Sequence, residues 1–155
     1  MKGKRTNVGY ANCGIARSLE VVGDWWSLLM VRNAFHGAER FGEFQRSLGL
    51  AKNILSTRLK KLVENGIFRV EPDEESSYNR YILTEKGEKL SIVLVALWQW
   101  GEEYCFKPGE LKYTMVDAQS GKPLKKLQIN AKDGRTVGPR GFRTIKNSPE
   151  RGRTH

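Results

Sequence analysis

KNILSTRLKKLVENG, residues 52–66, decides how the rest of the chain is read. On a helical wheel, Ile54, Leu55, Leu59, Leu62 and Val63 share one broad side. Asn53, Ser56, Thr57, Lys60, Lys61 and Glu64 share the other. Lys52, Arg58, Lys60 and Lys61 crowd into ten residues. The pattern predicts a helix over about 52–65, closed by Gly66. Such a helix is either an amphipathic one with a solvated face or one whose polar face meets something negative.

The neighbouring segments narrow that choice. Upstream, CGIARSLEVVG (13–23) places Ile15, Ala16, Leu19 and Val22 at helical spacing, with Gly23 as terminator. WWSLLMVRNAFH (25–36) is apolar on most sides and predicts a helix in the middle of the domain, ended by Gly37. RFGEFQRSL (40–48) spaces Phe41, Phe44 and Leu48 by three and four, and Gly49 separates it from the helix above. Downstream, IFRVEP (67–72) and NRYIL (79–83) have strand composition, and the polar DEESSY between them predicts a hairpin with an exposed tip. Thr84 can cap a helix over about 85–105, with Glu85 in its first turn. Leu90, Val93, Leu94, Leu97, Trp98 and Gly101 form a long stripe along it. Four helices, a hairpin and a long helix describe a mainly α winged helix-turn-helix with a small β-hairpin wing.

At 155 residues the chain suits one domain, or one domain with an appendage. The formal net charge of +10 favours anionic partners. It is unevenly spread: residues 1–105 hold 15 Lys/Arg against 13 Asp/Glu, whereas residues 106–155 hold 12 against 4. A nucleic-acid site on the body must therefore rest on local clustering. We expect a basic arm over 1–12, the winged-helix body over 13–105, a small β-hairpin appendage over 106–138 and a disordered basic tail over 139–155. The appendage rests on two similar pieces, DAQSGKPL and NAKDGRTV, each with a Gly-Lys or Gly-Arg turn. The tail is Gly, Pro, Arg and polar. Its cations would add to counterion release on reaching DNA. Two cysteines are too few for a disulfide framework, no apolar run reaches 18 residues, and the N-terminus lacks the apolar stretch of a signal peptide, so the chain reads as cytoplasmic.

The residue types on the polar side of 52–65 suit a major groove. Asn53 can bond an adenine edge, Ser56 and Thr57 can bond bases or phosphate, and Lys52 and Lys60 can meet guanine or phosphate. Arg58, near the edge of the apolar side, suits a phosphate better than a base. On the wing, Ser77, Asn79 and Arg80 are the DNA candidates, within a tip that also holds Ser76 and Tyr78. Asp73, Glu74 and Glu75 argue against deep phosphate contact at that edge. They leave open a winged-helix module that binds protein and not DNA.

Cys13, Gly23 to Trp26, Arg32, Arg40-Phe41, Leu55-Ser56, Arg58-Leu59, Leu83-Thr84-Glu85-Lys86-Gly87 and Trp100 occur together and in order. Over roughly residues 10–105 this series resembles the HxlR-type family of winged-helix transcriptional regulators, relatives of the MarR group. The resemblance implies a bacterial or archaeal homodimer that binds a roughly palindromic operator and represses or activates nearby genes. It implies dimerisation through the first and last helices, here Ile15, Leu19, Leu90, Leu94, Leu97, Trp98 and Gly101. The stripe on the last helix fits a partner independently, and it equally fits packing onto its own domain. Two departures stand out. Ala51-Lys52 replaces the Ser-Pro-like pair that often opens the recognition helix, at a cost of ~1 kcal/mol for the missing cap. Trp25 stands where a basic residue is common. The C-terminal region extends beyond the minimal family pattern.

Cys13 sits near a helix start with Arg17 one turn on, which favours thiolate. Some members of the family resemble oxidant or electrophile sensors with a cysteine here, so Cys13 reads either as a redox switch or as a structural thiol. Cys105 reads as a bystander. Trp25, Trp26, Trp98 and Trp100 fit core or interface packing better than a ligand pocket. Two histidines and two separated cysteines make no metal-ligand spacing, and no catalytic triad or phosphate loop stands out. The expectation is double-stranded DNA and a second copy as partners, a possible small-molecule or oxidant effector, no cofactor or metal, no membrane and no enzymatic role.

Overall fold

A computed structural model of the chain describes residues 12–147. The expected basic arm, apart from residue 12, and the end of the expected tail lie outside the described residues. The elements run α1 (Gly14–Val22), α2 (Trp25–Phe35), α3 (Phe41–Leu48), α4 (Lys52–Glu64), β1 (Phe68–Pro72), β2 (Asn79–Leu83), α5 (Glu85–Glu88), α6 (Ser91–Tyr104), β3 (Ile129–Asn130) and β4 (Thr136–Val137). The chain divides into two compact units, one ending at Trp98 and one starting at Gln99. The division lies inside α6, upstream of the 105–106 boundary expected from the sequence.

In the first unit, local chemistry starts and stops each helix. Asp24 caps α2 by accepting the Ser27 N–H at 2.9 Å and the Ser27 hydroxyl at 2.6 Å. Glu43 reaches back from the first turn of α3 to accept the Glu39 and Arg40 N–H groups at 2.8 and 3.0 Å. Gly49 ends α3 at φ 64°, a left-handed conformation that glycine adopts without strain. Ala51 then opens α4 with no side-chain cap, and Leu50 beside it is buried. Leu55, Leu59 and Leu62 turn the apolar side of α4 onto Met30 and Val31 of α2, Phe44 of α3, and Ile67 and Phe68 at the hairpin base. Phe44 meets Phe68 edge-on at 5.9 Å between ring centres. Ile54, which the wheel places with the leucines, is 42% exposed.

The hairpin is antiparallel, with Phe68 opposite Leu83 and Pro72 opposite Asn79. Residues 39–40 add a short third edge: the Tyr81 N–H donates to the Glu39 carbonyl at 2.7 Å, and Arg40 bridges to Arg80.

The single helix expected over 85–105 is two helices. Thr84 caps α5 by accepting the Gly87 N–H at 3.1 Å. Gly87 is buried so closely against Ile67 that a Cβ there would run into the Ile67 carbonyl. Leu90 N–H then bonds three residues back to Gly87, which tightens and ends the turn, and α6 starts afresh from the Leu90 carbonyl.

In the second unit the two similar pieces each form a turn. Val116 bridges Pro123 around Gly121, and β3 pairs with β4 around Gly134. Gln99 holds residues 125–127 by its amide, accepting from Leu127 N–H at 2.8 Å and donating to the Lys125 carbonyl at 2.9 Å.

Candidate nucleic-acid interface

Burial of the leucines fixes which side of α4 faces outward. Lys52, Asn53, Ser56, Thr57 and Lys60 are all exposed along that side. Among the described residues, the side chains of Lys52, Asn53 and Ser56 have no partner, so their donors and acceptors are available to a ligand. Thr57 donates its hydroxyl to the Asn53 carbonyl at 2.8 Å and keeps an exposed acceptor oxygen. Lys60 lies 4.0 Å from Glu64 one turn on, an exposed pair of small energetic weight.

Two arginines expected at DNA are placed in ion pairs within the fold. Arg58, 28% exposed, lies 3.3 Å from Asp24, the cap of α2. Burial pushes the Asp24 carboxyl up, but the Ser27 hydrogen bonds and the charges of Arg58 and Lys61 hold it below its ordinary value. Arg80 pairs with Glu39 at 2.9 Å and Glu71 at 3.4 Å, and its Nε is buried without a partner. Ser77 and Asn79 are exposed on the wing.

The acidic edge is also rearranged. Asp73 points inward, its side chain 3% exposed, and takes Arg40 Nε at 2.6 Å. The Arg40 hydrogen bond, followed by the Glu75 N–H, holds its carboxyl well below the usual carboxylate range. The same contact raises Arg40 above its ordinary value. Glu75 pairs with Arg40 Nη2 at 3.2 Å, so Glu74 is the unpaired carboxylate of the three.

A groove of about 840 Å³ runs between α3 and the wing. Arg46 and Lys52 line its helical side, and Ser77, Tyr78 and Asn79 line its hairpin side. From the sequence, Arg46 is not singled out, Arg40 is named only within the family series and Tyr78 only within the wing tip. Arg46 and Tyr78 lie on separate elements, and only the fold sets them on one groove; Tyr78 is 76% exposed.

The residues expected at a dimer interface divide. Ile15, at 74% exposure, and Leu19 and Leu97 are open. Leu90 and Leu94 pack against the core of their own unit. Trp98 and Gly101 are half-buried. Ile92, Val93, Trp100 and Tyr104 on α6 are exposed as well. Cys13 is exposed at the cap position of α1, and Cys105 is exposed. Among the described residues no His, Cys, Asp and Glu cluster could hold a metal, and no helix is long and apolar enough to cross a membrane.

A helix with an open polar face, set after a brief turn and flanked by a hairpin, defines a winged helix-turn-helix. A model of the HxlR-like helix-turn-helix matches residues 21–108, and the chain belongs to that family. It is 45% identical over 95 residues to Rv3095, an uncharacterised HTH-type transcriptional regulator of Mycobacterium tuberculosis. That match covers 61% of this chain and 60% of the relative, so the chain spans less than two-thirds of that protein. The crystal structure of PA1607, a candidate transcription factor, is 48% identical with a TM-score of 0.86, covering 92% of this chain and all of that one. The reduced form of the Bacillus subtilis transcriptional regulator YodB is 27% identical with a TM-score of 0.52, covering 63% of this chain and 98% of that one. The second unit therefore has a counterpart in PA1607 that YodB lacks the length to supply.

The Arg58 geometry yields a test. Arg58→Ala should lower unfolding stability in urea by about 1–2 kcal/mol, because Asp24 loses its cation in a part-buried place. Unchanged stability together with a salt slope of DNA binding lowered by about one would instead make Arg58 a phosphate ligand.

Proposed function

We propose that this protein is a homodimeric, sequence-specific DNA-binding transcriptional regulator. The observation that carries the reading is the outer side of α4, where Lys52, Asn53 and Ser56 stand exposed and unpartnered among the described residues. An amide, a hydroxyl and a cation on the N-terminal half of such a helix have the chemistry to read base edges and hold phosphate. Ser77 and Asn79 supply neutral wing contacts. Arg58 and Arg80 can reach phosphate only by giving up their present partners. The open apolar residues of α1 and α6, Ile15, Leu19, Ile92 and Leu97, support pairing with a second copy. A twofold pair would read half-sites about one helical turn apart, ~34–36 Å. The inward turn of Asp73 and the pairing of Glu75 with Arg40 leave Glu74 as the unpaired carboxylate of that edge, which weakens the case for a protein-binding module.

A second reading concerns control. Cys13 is exposed, and YodB has been solved both in a reduced form and bound to a quinone. An oxidant or electrophile that modifies Cys13 would then release DNA.

Asn53→Ala or Ser56→Ala should weaken binding to a selected duplex more than to a scrambled one. Lys60→Ala should weaken both and lower the salt slope by about one. Equal losses on the two duplexes for Asn53→Ala remove it from base reading. For Cys13, gel shifts with and without a quinone should show release by the native chain and none by Cys13→Ser. Release that persists in Cys13→Ser excludes this thiol as the switch.

A further inference from the structure

We propose that Arg40 is a positioning residue for DNA: it ties the wing to the start of α3 and so sets the groove between them, which takes one phosphodiester strand bordering the half-site read by α4. This rests on the DNA-binding reading above. It adds Arg46 and Tyr78 as strand-facing side chains and assigns Arg40 to holding the wing, not to binding phosphate.

Arg40 lies on the DNA side of the fold and is partly exposed, which invites reading it as a phosphate contact. Its geometry says otherwise. Its Nε is 2.6 Å from Asp73, its Nη2 is 3.2 Å from Glu75, and its Nη1 is 3.9 Å from Glu43. A guanidinium facing three carboxylates has little positive field left for a phosphate. Asp73 is the centre around which the wing tip is wound. Its carboxylate accepts the Glu75 N–H and the Ser76 hydroxyl, each at 3.1 Å, and its own N–H donates to the Tyr78 carbonyl at 3.1 Å. Whatever holds Asp73 therefore holds Ser77 and Tyr78. That holder is Arg40, at the cap position of α3 and 33 residues away in sequence. The bridge between Arg40 and Arg80 and the Tyr81–Glu39 hydrogen bond anchor the same place through the backbone.

The groove that results has Arg46 and Lys52 on its helical side and Ser77, Tyr78 and Asn79 on its wing side; the two carboxylates that also line it are committed, Glu75 to Arg40 Nη2 at 3.2 Å and Glu43 to the Glu39 and Arg40 N–H groups. Neither Arg46 nor Lys52 is ion-paired among the described residues. Cations on one wall, and on the other hydrogen-bonding groups with their one carboxylate paired to Arg40, match a single phosphodiester strand, whose charge lies along one edge and whose sugar lies beside it.

Because the wing side of the groove supplies no cation, misplacing the wing removes contacts without removing one. The test uses the full chain, a duplex enriched from random sequence, hydroxyl-radical footprinting and a salt series. Asp73→Asn should keep protection of the half-sites, lose protection of the backbone bordering them, and weaken binding about tenfold at an unchanged salt slope. Tyr78→Ala, at an exposed position that costs no packing, should lose the same flanking protection. Arg46→Ala should lower the salt slope by about one. If Arg40 were a phosphate ligand, Asp73→Asn would free it, and binding would strengthen with a steeper salt slope; that result overturns the proposal. Should Asp73→Asn unfold, full flanking protection in Tyr78→Ala overturns it instead. A native chain that enriches no duplex overturns the DNA-binding reading itself, whereas specific binding with unaltered flanks in both variants overturns this inference alone.

Discussion

The burial of Leu55, Leu59 and Leu62 is the constraint on which the rest depends. Each fully buried leucine is worth about 1.5–3 kcal/mol, so together they fix the rotation of α4 about its own axis against α2, α3 and the base of the hairpin. A turn of the helix by one residue would put Ser56 or Lys60 into the apolar contact with Phe44 and Met30. That cost is what keeps Lys52, Asn53 and Ser56 on the outside. The outer face is thus a consequence of the core, and the site is as rigid as the packing behind it.

Electrostatics then separates cations that build the fold from cations that remain available. Arg58 supports the cap of α2, Arg80 ties the two strands to residue 39, and Arg40 holds the wing. Lys52 and Arg46 are left without ion pairs among the described residues. A body of almost balanced charge can in this way present a local cationic face, because the carboxylates around the wing, Glu39, Glu71, Asp73 and Glu75, are committed to arginines. Asp73 shows this most clearly: a carboxylate on the wing that would repel DNA if exposed is turned inward and neutralised.

Much of the architecture was legible in the sequence because it is written in short-range periodicity. The helical spacing of Leu55, Leu59 and Leu62, the strands on either side of DEESSY and the glycines at the helix ends all depend on near neighbours. What escaped depends on distant ones. Arg40 and Asp73 are 33 residues apart and Arg80 and Glu39 are 41 apart, so the residue types showed charge but not commitment. Leu90, Leu94 and Leu97 read as one stripe, yet the first two face their own core while Leu97 stays open, a distinction that periodicity does not carry. The break between α5 and α6 turns on the approach of Gly87 to the Ile67 carbonyl, a tertiary contact hidden behind a good helical pattern. The α3–wing groove is assembled from several elements, so Arg46 and Tyr78 had no shared signal to reveal them.

The central claim is that this α4 surface reads DNA sequence. It is tested most directly by selecting duplexes from a random pool with the full chain, then measuring the enriched and scrambled sequences across a salt series. The account predicts enrichment of one pseudo-palindromic sequence with half-sites about 10 bp apart, bound far more tightly than its scrambled form, with an affinity that falls steeply with salt. Failure to enrich any sequence, with equal weak binding to both duplexes, would contradict it.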